Sequence, residues 1–85
     1  MINMDYRKSF SANIRRLRIS HGLSAQALAE ILGVSQQAIS LWELGKRSPT
    51  LEAVCAITKY FNVSLDALIS DPSFDEESAT LEPAM

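Results

Sequence analysis

The 85-residue sequence has few of the residues that cross-link a small protein or give it a metal site. Its one cysteine cannot form an internal disulfide, and alone it cannot build a cysteine-based metal site. Three glycines and three prolines are too few for a collagen-like chain or a proline-rich linker. No apolar run approaches the roughly 20 residues that a membrane-spanning helix needs. We therefore expect one small domain, stabilised by burial of the apolar residues that make up 47% of the sequence.

The formal net charge of −2 is the sum of the charges of two segments of opposite sign. Residues 1–69 contain all eight lysines and arginines and five acidic residues, which leaves a net charge of +3. Residues 70–85 contain five acidic residues, no cation and no helical or alternating period, which indicates an acidic and weakly ordered tail. This tail is either a solvated extension, a segment that docks through Phe74 or Leu81, or a modulator of anion binding.

Apolar spacing and helix-boundary residues predict an all-α fold of five short helices. In the first helix Phe10, Ile14, Leu17 and His21 recur on one face, and Asn13 lies off that stripe. The predicted caps and ends are Gly22, Ser24, Gly33, Ser35, Gly45, Ser48-Pro49-Thr50 and Ser64. The later helices are expected to bury Leu28, Ala29, Leu32, Ile39, Trp42, Leu51, Val54, Cys55, Ile57, Thr58, Phe61, Leu65, Leu68 and Ile69. The predicted organisation is an N-terminal arm over 1–9, a helical domain over 10–69 and the tail over 70–85.

The stretch 23–49 has the layout of a helix-turn-helix, in which two helices are joined by a very short turn. Gly33 permits a positive φ in that turn, and Ala29 is small where the two helices must cross closely. Val34 is expected to fill the angle between the helices, and Ile39 to anchor the second helix from behind. The opposite face of the second helix would then be free to enter the major groove of DNA.

At these positions the sequence resembles the lambda-repressor-like, or XRE-type, family of helix-turn-helix regulators. The matching residues are Leu17-Arg18, Gly22-Leu23-Ser24, Leu28-Ala29, Leu32-Gly33-Val34-Ser35, Ile39-Ser40, Trp42-Glu43, Gly45, Arg47 and Pro49. A later run is similar to the final helix of the family: Phe61, Val63, Ser64, Leu65, Asp66 and Leu68. The resemblance covers about residues 10–69 and implies a compact five-helix DNA-binding domain whose helices two and three form the helix-turn-helix.

The resemblance implies a sequence-specific transcriptional regulator, which we expect to be a repressor that binds a two-fold operator in double-stranded DNA as a homodimer. The helix near 35–44 would read the bases in the major groove. The expected base-reading residues are Gln36, Gln37, Ser40 and Leu41. The competing interpretation is a solvated polar face, with Leu41 and Leu44 forming an apolar interaction patch.

Polar and basic residues around the motif are the expected phosphate contacts: Gln26, Ser35, Lys46, Arg47 and Thr50. Members of the family often have glutamine where this sequence has Ala25, so Gln26 would have to replace that contact. The competing interpretation of Lys46 and Arg47 is an ordinary charged loop.

Several conspicuous side chains are predicted to be structural. By resemblance, Arg18 and Glu43 form an internal ion pair between the first and third helices. Trp42 has the spacing of a core residue rather than of a base-stacking one. Cys55 has apolar neighbours, which favours an inert buried thiol over a redox sensor. His21 has no ligand at metal-binding spacing, so we expect no metal and no cofactor.

Two other classes of function compete with a DNA-binding regulator. The acidic tail, together with Leu41 and Leu44, favours the alternative of an antitoxin or adaptor with a small protein partner. An enzyme is rejected, because the sequence has no nucleophile–base pair, no glycine-rich phosphate loop and no metal cluster. The first eight residues lack the apolar core of a signal peptide, so we expect a cytoplasmic protein of bacterial or phage type, nucleoid-associated when bound and not at a membrane.

Overall fold

A computed structural model describes residues 6–70, and this part of the chain consists of five helices without a strand. The helices are α1 Tyr6–Ser20, α2 Ala25–Leu32, α3 Gln36–Glu43, α4 Leu51–Phe61 and α5 Leu65–Ile69. The all-α prediction is therefore confirmed. Residues 6–9 of the predicted arm belong to α1, while the rest of the arm and the tail beyond Ser70 lie outside the described residues. None of the helices just named is long and apolar enough to cross a bilayer.

Four of the helices begin at a hydroxyl side chain that accepts a backbone hydrogen bond from the N–H group three residues later. Ser24, Ser35 and Ser64 do so at 3.0 Å, as predicted. The start of α4 differs from the prediction, because Thr50 accepts the N–H of Ala53 at 3.1 Å with extended backbone angles. Pro49 therefore precedes the helix and is not part of its first turn.

The predicted glycines end the helices, since each occupies the left-handed region of backbone space. Gly45 is the clearest case: its φ is 74°, its N–H group donates to the carbonyl of Trp42, and the next N–H group donates to that of Leu41. This pair of bonds satisfies carbonyls that the end of α3 leaves without helical partners. Asn62 ends α4 in the same way at a φ of 56°, a boundary that the sequence pattern did not reveal.

One hydrophobic core joins all five helices. The buried apolar residues are Phe10, Ile14, Leu28, Ala29, Ile39, Trp42, Ala53, Ile57, Phe61 and Leu68. The Trp42 indole packs edge-on against the Phe10 ring, with 5.9 Å between the ring centroids. The prediction that Trp42 is a core residue is therefore confirmed, and this contact ties α3 to α1.

Three residues predicted to be buried are exposed instead. On α4 the buried stripe contains Ala53 and Ile57. Leu51 and Cys55 each lie two positions from this stripe, about 200° around the helix, so they face solvent. The prediction of a buried Cys55 thiol was wrong for this reason. Leu65 follows directly after the cap of the short α5 and remains 51% exposed, since that helix buries one side only.

Asn13 contradicts the expectation that it lies off the buried face, because it is fully buried. Its Nδ2 atom donates to the carbonyls of Ala67, Leu68 and Ser70 at 3.2, 2.7 and 2.8 Å. The last carbonyls of a helix have no partner within the helix. Asn13 satisfies them here and thereby anchors the end of α5 on α1.

Candidate nucleic-acid interface

The turn between α2 and α3 consists of three residues, 33–35. Gly33, at a φ of 73°, ends α2, and its N–H group and that of Val34 both donate to the carbonyl of Ala29. Ser35 then has extended backbone angles and caps α3. Ala29 is 3% exposed and Val34 packs against the core, in agreement with the roles predicted for them. The short turn packs α3 directly against α2, as a helix-turn-helix requires.

The outward side of α3 carries the residues predicted to read bases. Ile39 and Trp42 define the inward side, since both are buried. With about 100° between successive residues, the opposite side carries Gln36, Gln37, Ser40, Leu41 and Leu44. The two glutamines and the serine are exposed, Leu41 is half-buried and Leu44 is 66% exposed. The face is thus polar at the start of the helix and apolar at its end.

The predicted phosphate-contacting residues are all exposed and lie at the ends of helices: Gln26, Ser35, Lys46, Arg47 and Thr50. Gln26 is in the first turn of α2, while Lys46 and Arg47 follow α3. The hydroxyl oxygens of Ser35 and Thr50 accept backbone N–H groups of their own helices. Capping is therefore their role within the protein.

Two further cations lie near the end of α3 that sequence reasoning missed. Arg7 and Lys8, in the first turn of α1, line a shallow groove together with the Leu44–Gly45 turn. The same turn leads directly into Lys46 and Arg47. No local pattern could reveal this neighbourhood, because it arises only when α1 packs against α3. The end of α3 is consequently bordered by basic residues from two parts of the chain.

Arg18 and Glu43 form a bidentate ion pair between α1 and α3. Arg18 Nε donates to one carboxylate oxygen at 2.6 Å, and Nη2 donates to the other at 3.0 Å. The Nη1 atom of Arg18 also donates to the carbonyl of Leu23 at 2.9 Å, just before α2. The hydrogen bonds that Arg18 donates to Glu43 raise the pKa of Arg18, although partial burial acts in the opposite direction. This one guanidinium group therefore connects α1, α3 and the turn before α2.

The geometry of a helix-turn-helix is matched by a family of known proteins. Residues 14–68 match the family profile described as Helix-turn-helix. The chain belongs to the XRE-type helix-turn-helix family of DNA-binding transcription regulators. The match extends from the middle of α1 into α5, so it covers the core and the whole motif.

Known members of the helix-turn-helix family resemble the chain over most of its length. The HTH-type transcriptional activator BcrR of Enterococcus faecalis is 43% identical over 61 residues, which are 72% of this chain and 30% of BcrR. The cryptic phage CTXphi transcriptional repressor RstR of Vibrio cholerae is 36% identical over 62 residues, 73% of this chain and 56% of RstR. The chain thus spans less than two thirds of either relative.

A solved structure shares the fold of this helix-turn-helix chain. The hypothetical transcription factor NHTF from Neisseria superposes with a TM-score of 0.78 over 92% of both chains. The sequence identity between the two is only 19%. The arrangement of five helices is therefore common to proteins whose sequences have diverged widely.

Arg15 and Arg16 are exposed on the outer side of α1. Arg15 Nε lies 3.9 Å from a Glu43 oxygen, and its side chain is 62% exposed. Arg16 Nη2 donates to Asn13 Oδ1 at 3.2 Å. Both arginines thus lie beside structural polar contacts of α1 and keep much of their surface in solvent.

His21, predicted as the last residue of the apolar stripe, lies just after α1 and is exposed. Its Nδ1 atom lies 2.9 Å from the carbonyl of Leu17, and its ring packs edge-on against Phe61 at 4.8 Å between centroids. The imidazole therefore covers the end of α4 from outside. Over residues 6–70, histidine, cysteine, aspartate and glutamate nowhere form a group of three that could hold a metal ion.

Proposed function

We propose that the chain is a sequence-specific regulator of transcription that reads double-stranded DNA with the outward face of α3. The observation that carries this proposal is the two-sided character of that helix. Ile39 and Trp42 hold it in the core, while Gln36, Gln37 and Ser40 are exposed on the opposite side. The major groove is about 12 Å wide and admits one α-helix, so an exposed polar face on a firmly held helix suits base recognition.

The chemistry of these side chains suggests how they read bases. A glutamine amide has a donor and an acceptor, which match N7 and the N6 amino group of adenine. We assign this role to Gln36 and Gln37, in the first turn of α3. Ser40 and Leu41 follow one turn later, where a hydroxyl can bond a base edge and a leucine can contact the methyl group of thymine.

The residues around α3 would hold the sugar-phosphate backbone. Lys46 and Arg47 supply charge at the end of α3, and Gln26, Ser35 and Thr50 lie at the starts of three helices. The N–H groups at a helix start favour an anion, because they have no acceptor within the helix. These contacts would fix the register of α3 in the groove and carry no sequence information themselves.

One such unit offers few base-reading side chains, so we propose that it binds as a homodimer to a two-fold operator. Two recognition helices would then contact half-sites about 34 Å apart, one turn of DNA. We favour repression, because occupying an operator blocks transcription without any further contact. The proposed site of action is the cytoplasm of a bacterium, on nucleoid or phage DNA.

Selection of bound duplexes from a random DNA pool tests this function. We expect enrichment of a two-fold symmetric sequence with half-site centres about 10 base pairs apart. Sedimentation of the complex should give two chains per duplex. A selected pool that remains as diverse as the starting pool would rule the proposal out.

A protein-interaction adaptor, such as an antitoxin, is the second candidate function. The observation in its favour is the apolar end of the α3 face, where Leu44 is 66% exposed beside the half-buried Leu41. Purification of the untagged chain from its native host discriminates between the candidates. A stoichiometric small protein that remains bound supports the adaptor, whereas a homodimer alone supports the regulator.

A further inference from the structure

The outward side of α1 lines an open basic groove that lies mostly outside the proposed DNA-binding surface. The cations in its lining are Lys8, Arg15 and Arg16, and the apolar side chains are Ala12 and Ile19, of which Ile19 is 52% exposed. Glu43 is the acidic residue at its edge, and its carboxylate is paired with Arg18 at 2.6 Å and lies 3.9 Å from Arg15 Nε. The groove therefore has an excess of positive charge next to an apolar side chain.

The chain leaves the folded domain at the edge of this groove. The Asn13 amide donates to the Ser70 carbonyl at 2.8 Å, and the Asn13 oxygen accepts a hydrogen bond from Arg16 at 3.2 Å. Ser70 itself has extended backbone angles, with φ −83° and ψ 153°. A single buried amide thus connects the last described residue to a cation of the groove, and residue 71 follows immediately.

The sequence after Ser70 is complementary to the groove in charge. It contains Asp71, Phe74 and the run Asp75-Glu76-Glu77, and no lysine or arginine follows. Five extended residues span up to about 17 Å, which is about half the circumference of a helix 10–12 Å across. The acidic run can therefore reach the cations on the far side of α1.

We propose that the outward face of α1 is the docking surface for the acidic segment 71–82 of the same chain. Asp71 pairs with Arg16, the acidic run 75–77 pairs with Arg15, and Phe74 covers Ile19. Each exposed ion pair contributes little by itself. Tethering, however, gives the segment an effective concentration of about millimolar, so several weak contacts act together. Docking is strong at low salt and is lost at high salt.

Paramagnetic broadening in the full-length chain tests the docking directly. Cys55→Ser removes the native thiol, which is exposed on α4, and Ser78→Cys provides a site for a nitroxide label. At about 0.1 M salt we expect loss of amide peak intensity along the outward face of α1, around Ala12, Arg15 and Ile19, but not along α4. At about 1 M salt, where the Debye length falls to about 3 Å, the intensity should return.

Matched variants distinguish docking of the acidic segment from occupation of the groove by another molecule. Arg15→Gln with Arg16→Gln should abolish the broadening, whereas Lys46→Gln with Arg47→Gln removes the same charge elsewhere and should preserve it. Asp75→Asn, Glu76→Gln and Glu77→Gln together should also abolish it, without any change to α1. Broadening that is absent at low salt, or that survives both sets of neutralising changes, overturns the proposal. So does broadening of the outward face of α1 in a nitrogen-15-labelled chain by a separate spin-labelled copy, since the occupant of that face would then be a second molecule.

Discussion

Arg18 is the residue whose charge is most easily mistaken for a DNA contact. Its side chain is only 16% exposed, and three of its nitrogen atoms donate to Glu43 and to the Leu23 carbonyl. The pKa of Arg18 is raised above its ordinary value, chiefly because its guanidinium group donates hydrogen bonds to the Glu43 carboxylate. Because this pKa is raised, the stability that Arg18 contributes is fully present at any pH below its unfolded-state pKa and is lost only as the pH rises through its folded-state pKa. Arg18 therefore remains charged at neutral pH and below.

The two members of this ion pair are expected to be strongly coupled. Arg18→Met and Glu43→Gln should each lower the free energy of unfolding by about 3 kcal/mol, because each leaves a partly buried partner unpaired. The double variant should lose much less than the sum of the two. Urea unfolding of the four proteins measures this coupling. Arg15→Met is the control, since Arg15 is exposed and 3.9 Å from Glu43, and it should cost less than about 1 kcal/mol. Additive losses for Arg18 and Glu43 would contradict the account.

Single-residue burial was the least predictable property of the sequence. The sequence pattern predicts that Asn13 is a surface residue of α1. It is buried instead, because α5 packs against α1 from the other end of the chain. Cys55 reads as a core residue because its neighbours are apolar, yet it lies opposite the stripe that faces inward. Both errors have the same origin, since the direction of a side chain depends on which neighbouring helix packs against it.

The helix boundaries, in contrast, could be predicted because their causes are local. A serine hydroxyl that accepts an N–H group three residues later needs no tertiary contact, and neither does a glycine with a positive φ. Ser35 and Gly33 were therefore placed correctly on each side of the turn. The start of α4 was misplaced, because Pro49 is compatible both with the first helical turn and with the position before a cap.

Ser35 and Ser64 are matched caps with different expected roles. Each accepts a backbone N–H group at 3.0 Å, so Ser35→Ala and Ser64→Ala should each lower the free energy of unfolding by about 1 kcal/mol. Only Ser35→Ala should also weaken DNA binding, because only Ser35 lies at the start of the recognition helix. Thermal unfolding and fluorescence anisotropy with a labelled duplex measure the two effects. Equal losses of affinity in both variants would show that the effect comes from stability alone.

At the scale of the whole molecule, the arrangement of charge matters more than its sum. Net charge alone argues against a nucleic-acid ligand, because it is −2. All eight lysines and arginines nevertheless lie within residues 6–70, where only four acidic residues oppose them. The fold then brings Arg7 and Lys8 next to the turn that precedes Lys46 and Arg47. The sequence predicted the segregation of charge, but only the packing of α1 on α3 reveals the combined basic border.

Removal of the acidic segment should strengthen non-specific DNA binding. A chain that ends after Ser70 keeps the carbonyl that Asn13 binds, so helices α1 to α5 should remain folded. For a non-cognate duplex at low salt we expect roughly three- to tenfold tighter binding than for the full chain, since fewer acidic groups oppose the phosphates. The difference should shrink as salt rises. Weaker binding after truncation would mean that the segment belongs to the DNA-binding assembly.

The central claim, that α3 reads bases, is tested most directly by two glutamine substitutions of identical chemistry. Gln36 lies in the first turn of α3 and Gln26 in the first turn of α2, and both are exposed. Binding is measured for each variant against the selected operator and its single-base changes. We predict that Gln36→Ala loses about 1–3 kcal/mol on the operator and relaxes the preference at one base pair per half-site, whereas Gln26→Ala weakens all sequences equally. An unchanged base preference in Gln36→Ala would contradict the account.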